Sequence, residues 1–214
     1  MFYIVLLAMV AGFLALRLYS VLGKRTGHEQ PLPRAAEERV APTPLPRPIE
    51  AAAEPRDAVN RSIEPGAEAG LRAIIAGEPG FDVGRFLEGA KAAYRMTLEA
   101  FWRGDEAALA DLAEPEVREA FADAIAARHE AGETLDNRLV SIERATVVDA
   151  GVSGRVARIV IRFDADVAAV TRNAEGQAVA GSLSDAVETH DVWTFSRSLR
   201  SDDPNWKLAE TDEA

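Results

Sequence analysis

The sequence predicts an α+β domain, with helices first and an antiparallel sheet after them, carried behind an apolar N-terminal segment. Three observations lead there. Residues 81–105 show the three-and-four spacing of an amphipathic helix; beyond about residue 139 the apolar residues alternate instead, the two-residue period of strands; and residues 2–22 are almost uninterruptedly apolar. Helices followed by strands is the order of a domain whose helices cover one face of a curved sheet. The expected organisation is a transmembrane anchor at residues 2–22, a disordered linker at 23–70 and the folded domain at 71–214.

Composition narrows the function classes. A chain of 214 residues, 48% of them hydrophobic, holds one ordinary domain and something extra. With no cysteine, disulfides and thiolate metal sites are excluded. The net charge of -11 resides in the residues after 70, because the basic and acidic residues before them nearly cancel. Such a surface repels phosphate backbones, so no nucleic acid is expected as a partner. The acidity serves solubility first and favours a basic partner second.

Phe2 to Leu22 reads FYIVLLAMVAGFLALRLYSVL. As a helix rising about 1.5 Å per residue it just spans a hydrocarbon core. A cleaved secretory signal would have basic residues before the apolar run and a small-x-small site after it, and neither is present. The basic residues Lys24 and Arg25 come afterwards, and Arg17 is close enough to the end to snorkel. The positive-inside rule then places the N-terminus outside and the rest in the cytoplasm, a single pass through the membrane. Ala8 and Gly12 form a small-xxx-small pair, a face on which a second copy could pack as a homo-oligomer.

The linker holds eight of the eleven prolines, mixed charge and no hydrophobic period, so it cannot bury enough to order itself. A coil of that length reaches roughly 40 Å. PTPLPRP would suit a polyproline II ligand, but spacer is the default for this composition.

Within the domain, residues 71–76 form a short helix stopped by Gly77. The organising helix follows. Phe86, Leu87, Ala90, Tyr94, Thr97, Leu98 and Phe101 share one face, and Arg85, Glu88, Lys91, Arg95, Glu99 and Arg103 the other. Asp82 is placed to cap its start, Gly104 to end it in a left-handed turn, and Glu99 sits one turn before Arg103. Asp105 caps a second helix with Leu109 and Leu112, and Pro115 opens a third in which Val117, Phe121, Ala124 and Ile125 share a face. Strands follow. Val140 and Ile142 alternate, then Ala145 and Val147 continue with shifted phase, which predicts a bulge. From Arg155 to Val170, Ala157, Ile159, Ile161, Phe163, Ala165 and Val167 point one way. RNAEGQ and GSLSD read as turns, His190 to Arg197 as a third strand, and Asn205 to Glu210 as a short last one.

A helix-covered sheet of this kind often leaves a pocket, and its expected wall is Tyr94, Trp102, Phe121, Phe163, Trp193 and Phe195, each of which also suits plain core packing.

Several stretches, taken together and in order, resemble a known family. They are the N-terminal anchor with GKRTGHEQP after it, FDVGRFLEGAKAAYRMTLEAFWRGD, EVREAFADAIAARHEAGETL, HDVWTFSR and DPNWKL. The resemblance is to α-proteobacterial relatives of the mitochondrial import inner-membrane translocase subunit 44. It implies a nuclear-transport-factor-two-like α+β cone, and a bacterial inner membrane as the one that residues 2–22 cross. It also implies a non-enzymatic adaptor, since the mitochondrial member ties a heat-shock chaperone to the protein-conducting channel at the matrix face. The implied partners are a translocon, a chaperone or membrane-protein clients, beside the lipid bilayer that holds the anchor. Two departures stand out: this chain has its own spanning segment where the mitochondrial subunit is peripheral, and a proline-rich spacer stands where that subunit has its chaperone-contacting region.

Cones of this shape also include isomerases and dehydratases, which makes a pocket enzyme or ligand-binding module the alternative. Its candidates are few. His28 lies in the linker, His129 on the wet side of the third helix, and His190 and Asp191 are strand neighbours that point to opposite faces. A pocket acid at Asp191 beside Tyr94 is conceivable, although ordinary strand roles are favoured. No Gly-rich phosphate loop, no His/Glu metal spacing and no nucleophile elbow occurs, so neither cofactor nor metal is expected.

Overall fold

The computed structural model describes residue 59 and residues 61–213. The expected membrane span and most of the expected linker lie outside these residues. Among the described residues no helix is long and apolar enough to cross a membrane. A 3₁₀ turn at Pro65–Ala67 leads into four helices, α1 Glu68–Gly77, α2 Val83–Arg103, α3 Glu106–Leu112 and α4 Pro115–Glu130. Four strands follow, β1 Thr134–Ser153, β2 Val156–Arg172, β3 Ala178–Ser198 and β4 Lys207–Glu213, paired antiparallel in the order β1-β2-β3-β4. This is the α+β class that the change of period predicts.

The helix boundaries follow their capping residues. Asp82 Oδ1 accepts from the Arg85 amide at 2.8 Å, and Gly104 closes α2 at φ 70°. Asp105 Oδ1 accepts from the Ala108 amide at 3.0 Å and so opens α3. The buried side of α2 is Phe86, Leu87, Ala90, Tyr94, Thr97 and Ala100, while Leu98 and Phe101 are half-buried. On α4, Val117 and Ile125 are buried, Phe121 is half-buried and Ala124 is exposed, contrary to the expected shared face. The reason is a narrow contact. Ile125 meets only a small second cluster with Ala100 and Leu109, joined by Phe101 and Phe121.

The sheet presents Ala157, Ile159, Ile161, Phe163 and Ala165 to the helices, all fully buried. The phase shift expected in β1 is a register shift between Ile142 and Arg144. GSLSD does not turn the chain. Instead β3 runs through it, and the register jumps from Val167↔Val187 to Ala169↔Ser182, so the extra residues are taken up as an irregularity within the pairing. Gly181, at φ 79°, marks one side of that irregularity in a conformation that favours glycine. β4 begins two residues later than expected and continues to Glu213, with Leu208 buried.

Both outer edges of the sheet are shielded over a single residue. Ile63 bridges Val147 on β1, and Ala113 bridges Leu208 on β4. On the first edge Val147 receives Glu64 N–H at 2.9 Å and donates to the Ser62 carbonyl at 2.8 Å. Folded structure therefore begins before Leu71, and the boundary drawn at residue 70 falls inside α1. Composition hid this, because the ordering comes from pairing with a distant strand. Gly70 records how close the approach is: a Cβ there would sit 1.7 Å from the Ala150 carbonyl oxygen. Gly70→Ala must push α1 off β1 and is expected to cost about 1 to 3 kcal/mol. Thermal melts of the full chain check this, and an unchanged melting temperature would mean that α1 is not seated on the sheet.

The turn after α1 is pinned to the end of β3. Glu78 Oε1 accepts from Arg197 Nη2 at 2.5 Å, and Oε2 accepts from the Arg200 amide at 3.0 Å. The Arg200 amide holds the Glu78 carboxyl below the usual carboxylate range; burial opposes it, and the hydrogen bond and charge of Arg197 then add to the lowering. A lowered folded value means stability that is complete above the ordinary glutamate range and lost as pH falls through the folded value. Melts of the unaltered chain and of Glu78→Gln are expected to differ at neutral pH and to converge in acid. A gap that stays constant down to low pH would contradict this.

Candidate functional site

A cavity of about 440 Å³ opens where the C-terminal half of α2 leaves the sheet. α2 contributes Thr97, Leu98 and Phe101, α4 contributes Phe121, β3 contributes Asp191 and Trp193, and β4 contributes Thr211 and Asp212. Each piece has a local cause. Leu98 and Phe101, at the C-terminal end of the α2 stripe, are only half-buried, and Phe101 meets Phe121, with ring centres 5.2 Å apart. Alternation on β3 turns Trp193 and Asp191 inward together and sends His190 outward. His190 Nδ1 lies 2.9 Å from Asp164 Oδ1 on the far face, as the strand geometry requires.

One polar contact anchors the cavity floor. Tyr94 donates its hydroxyl to Asp191 Oδ2 at 2.5 Å. Burial, and after it the hydrogen bond and charge of Asp191, push the Tyr94 hydroxyl well above the usual phenol range. It therefore remains a neutral donor throughout the physiological range and fixes the orientation of the carboxylate. Thr97 lies beside it at 1% exposure, and its buried hydroxyl has no partner among the described residues.

The six expected wall residues do not converge. Phe121 and Trp193 line the cavity. Tyr94 and Phe163 are core, both fully buried and stacked at 4.3 Å. Phe195 faces Phe86 at 6.1 Å and borders a separate depression of about 270 Å³ that includes Trp206. Trp102 lines another, of about 380 Å³, with Leu135 and Leu139 of β1. The Tyr94–Asp191 pairing considered from sequence is present. Leu98 and Phe101 were legible as part of the stripe but were not assigned to the wall. Thr211 and Asp212 carry no sequence signal, since they lie beyond the expected end of the last strand.

Residues 67–213 match the family model described as the Tim44-like domain. The chain belongs to the Tim44-like family. No curated protein matches it. Among solved structures, the crystal structure of the intermembrane space region of chloroplast protein ARC6 aligns at a TM-score of 0.43 and 14% identity, covering 59% of this chain and 95% of that one. The Tim44-like match begins at Ala67, the fully buried last residue of the 3₁₀ turn that leads into α1. Within this Tim44-like domain no group of three or more His, Cys, Asp or Glu among the described residues is arranged to hold a metal ion. What the cavity offers is aromatic surface, one oriented carboxylate and an unsatisfied hydroxyl, a set suited to holding a guest.

The two tryptophans separate core from rim. Trp193 is 4% exposed and touches Tyr94, Phe163 and Phe195, with ring centres 4.7, 5.9 and 6.4 Å away. Trp193→Ala is expected to cost about 3 to 5 kcal/mol. Half-buried Trp102→Ala should leave the domain folded with a much smaller loss. Paired thermal melts decide it, and equal losses would make Trp102 a core residue.

Proposed function

We propose that the chain is a non-enzymatic inner-membrane adaptor. Residues 2–22 span the membrane with the N-terminus outside, and the linker presents the Tim44-like domain at the cytoplasmic face to protein partners of translocation or membrane-protein biogenesis. In this reading the nuclear-transport-factor-two-like cone is a receptor, and its open cavity is the partner's seat. The observation that carries the proposal is the cavity's composition. Leu98, Phe101, Phe121 and Trp193 form an apolar wall at the end of the sheet, and the one carboxylate shared with the core is already hydrogen-bonded to a phenol that does not ionise near neutrality. Apolar walls with few oriented polar groups suit binding. General acid–base catalysis needs a group poised near the working pH, which a phenol raised this far is not.

A second reading has one observation in its favour. Asp191 borders a cavity with an oriented carboxylate, as a pocket isomerase or dehydratase would require of its base. One experiment separates the two. A photo-crosslinking amino acid replaces Phe121 in the full chain in membranes, with the same replacement at exposed Met96 as the control. Adducts with translocation or membrane-biogenesis proteins at position 121, and not at 96, are expected. Absence of protein adducts at 121, with a small molecule co-purifying instead, would favour the enzyme or ligand-binding reading.

A further inference from the structure

The third strand carries a motif that the cavity does not use. Residues 179–187 read VAGSLSDAV, the same in either direction save for the exchange of Gly181 and Asp185. The stretch lies on an edge. β4 pairs with β3 only from Asp191 onward, so among the described residues no strand lies along residues 178–190 on the side away from β2. Every residue from 178 to 188 is exposed except Ser182, which is half-buried. Val179, Leu183 and Val187 are 55, 40 and 54% exposed, three of the seven large apolar side chains left exposed among the described residues. A strand edge without a neighbour, with apolar side chains beside it, is a surface that another strand covers.

The order of the residues says which strand that is. Two copies laid antiparallel about Leu183 set this residue opposite itself, Ser182 opposite Ser184, Ala180 opposite Ala186 and Val179 opposite Val187. Asp185 falls opposite Gly181 and Glu188 opposite Ala178, so no like charges meet. A partner of unrelated sequence would have to supply this pattern, whereas a second copy already carries it. The pairing with β2 presents the middle of the motif. Between Val187↔Val167 and Ser182↔Ala169, four residues of β3 stand against Ala168 alone, so residues 183–186 must leave the ladder, and Leu183 is among them.

We infer that two copies of the chain join through the free edge of β3, side by side and antiparallel about Leu183, covering Val179, Leu183 and Val187 of each with those of the other. A contact of this kind uses the same patch on both copies, so it closes at a dimer and does not grow further. It uses none of the cavity residues and is independent of the adaptor reading.

The chain has no cysteine, so single introduced cysteines report the pairing directly. In the full chain in membranes, Leu183→Cys is expected to give a disulfide-linked dimer on mild oxidation, because opposed Cα atoms of antiparallel strands lie about 4.5 to 5.5 Å apart, within disulfide reach. Val179→Cys should not link to itself, since its two copies would lie about 26 Å apart along the strands, but it should link to Val187→Cys when the two variants are produced together. Val140→Cys, exposed on β1, is the control and should stay unlinked. Leu183→Asp, placed in both the Val179→Cys and Val187→Cys chains, opposes two like charges and should lower their linked product at least tenfold. Its exposed position should leave the melting temperature unchanged. Association through the N-terminal segment alone would give the cysteines no such pattern. The inference is overturned if Leu183→Cys links no better than Val140→Cys, or if Val179→Cys links to itself as readily as to Val187→Cys. An undiminished product with Leu183→Asp would overturn it too, as would a product in which Leu183→Cys is joined to a different protein.

Discussion

Tyr94 is the point on which the described domain turns. Its ring, fully buried at the middle of α2, stacks on Phe163 of β2 at 4.3 Å and lies 4.7 Å from Trp193 of β3, while its hydroxyl reaches Asp191. The one side chain thereby joins the longest helix to two central strands and carries a hydrogen bond to the floor of the cavity. Burying such a ring contributes on the order of 1.5 to 3 kcal/mol, and each good aromatic pair about 0.5 to 1.5 more. The buried hydroxyl would be a liability without an acceptor, so the core and the cavity depend on the same contact. Helix position and carboxylate orientation cannot be set independently.

A second aromatic group extends the same contact toward the other end of α2. Phe86 meets Phe195 and Trp206, and Phe81 packs against both Phe86 and Trp206 with ring centres 5.7 Å apart. Trp193 and Phe195, 6.4 Å apart on β3, connect the two groups into one seam beneath α2. The seam explains why the sheet side of α2 is continuous, and the space left over lies past its end, bordered by α2, α4, β3 and β4. A short helix at α3 and a short outer strand are too small to close that corner.

The polar features divide by face. On the outer face Arg158 meets Glu210 at 3.0 Å and His190 meets Asp164, exposed pairs that contribute little to stability. On the inner face Asp191 is oriented by a phenol, and the Thr97 hydroxyl, like that of Thr146, is buried without a partner among the described residues.

Local chemistry written in the sequence determined the helices and most of the strands. Asp82, Gly104, Asp105 and Pro115 act on amides within one turn of themselves, and strand alternation depends only on neighbours along the chain, so both could be read without knowing the fold. The family, too, was legible: four of the five stretches that carried the resemblance lie within the matched residues 67–213. What the tertiary structure decided are the contacts between residues far apart in sequence. Ile63 and Gly70 belong to the domain because Val147 and Ala150 receive them, GSLSD stays in a strand because β2 holds it on both sides, and Tyr94 and Phe163 are core because α2 presses them together. Each aromatic in the expected wall was large enough for either role, and size alone does not say which elements will stop short of one another. The cavity lies where the end of α2, Phe121 of α4 and the ends of β3 and β4 come together without filling the space, a property of element lengths and crossing positions that no single stretch of the sequence carries.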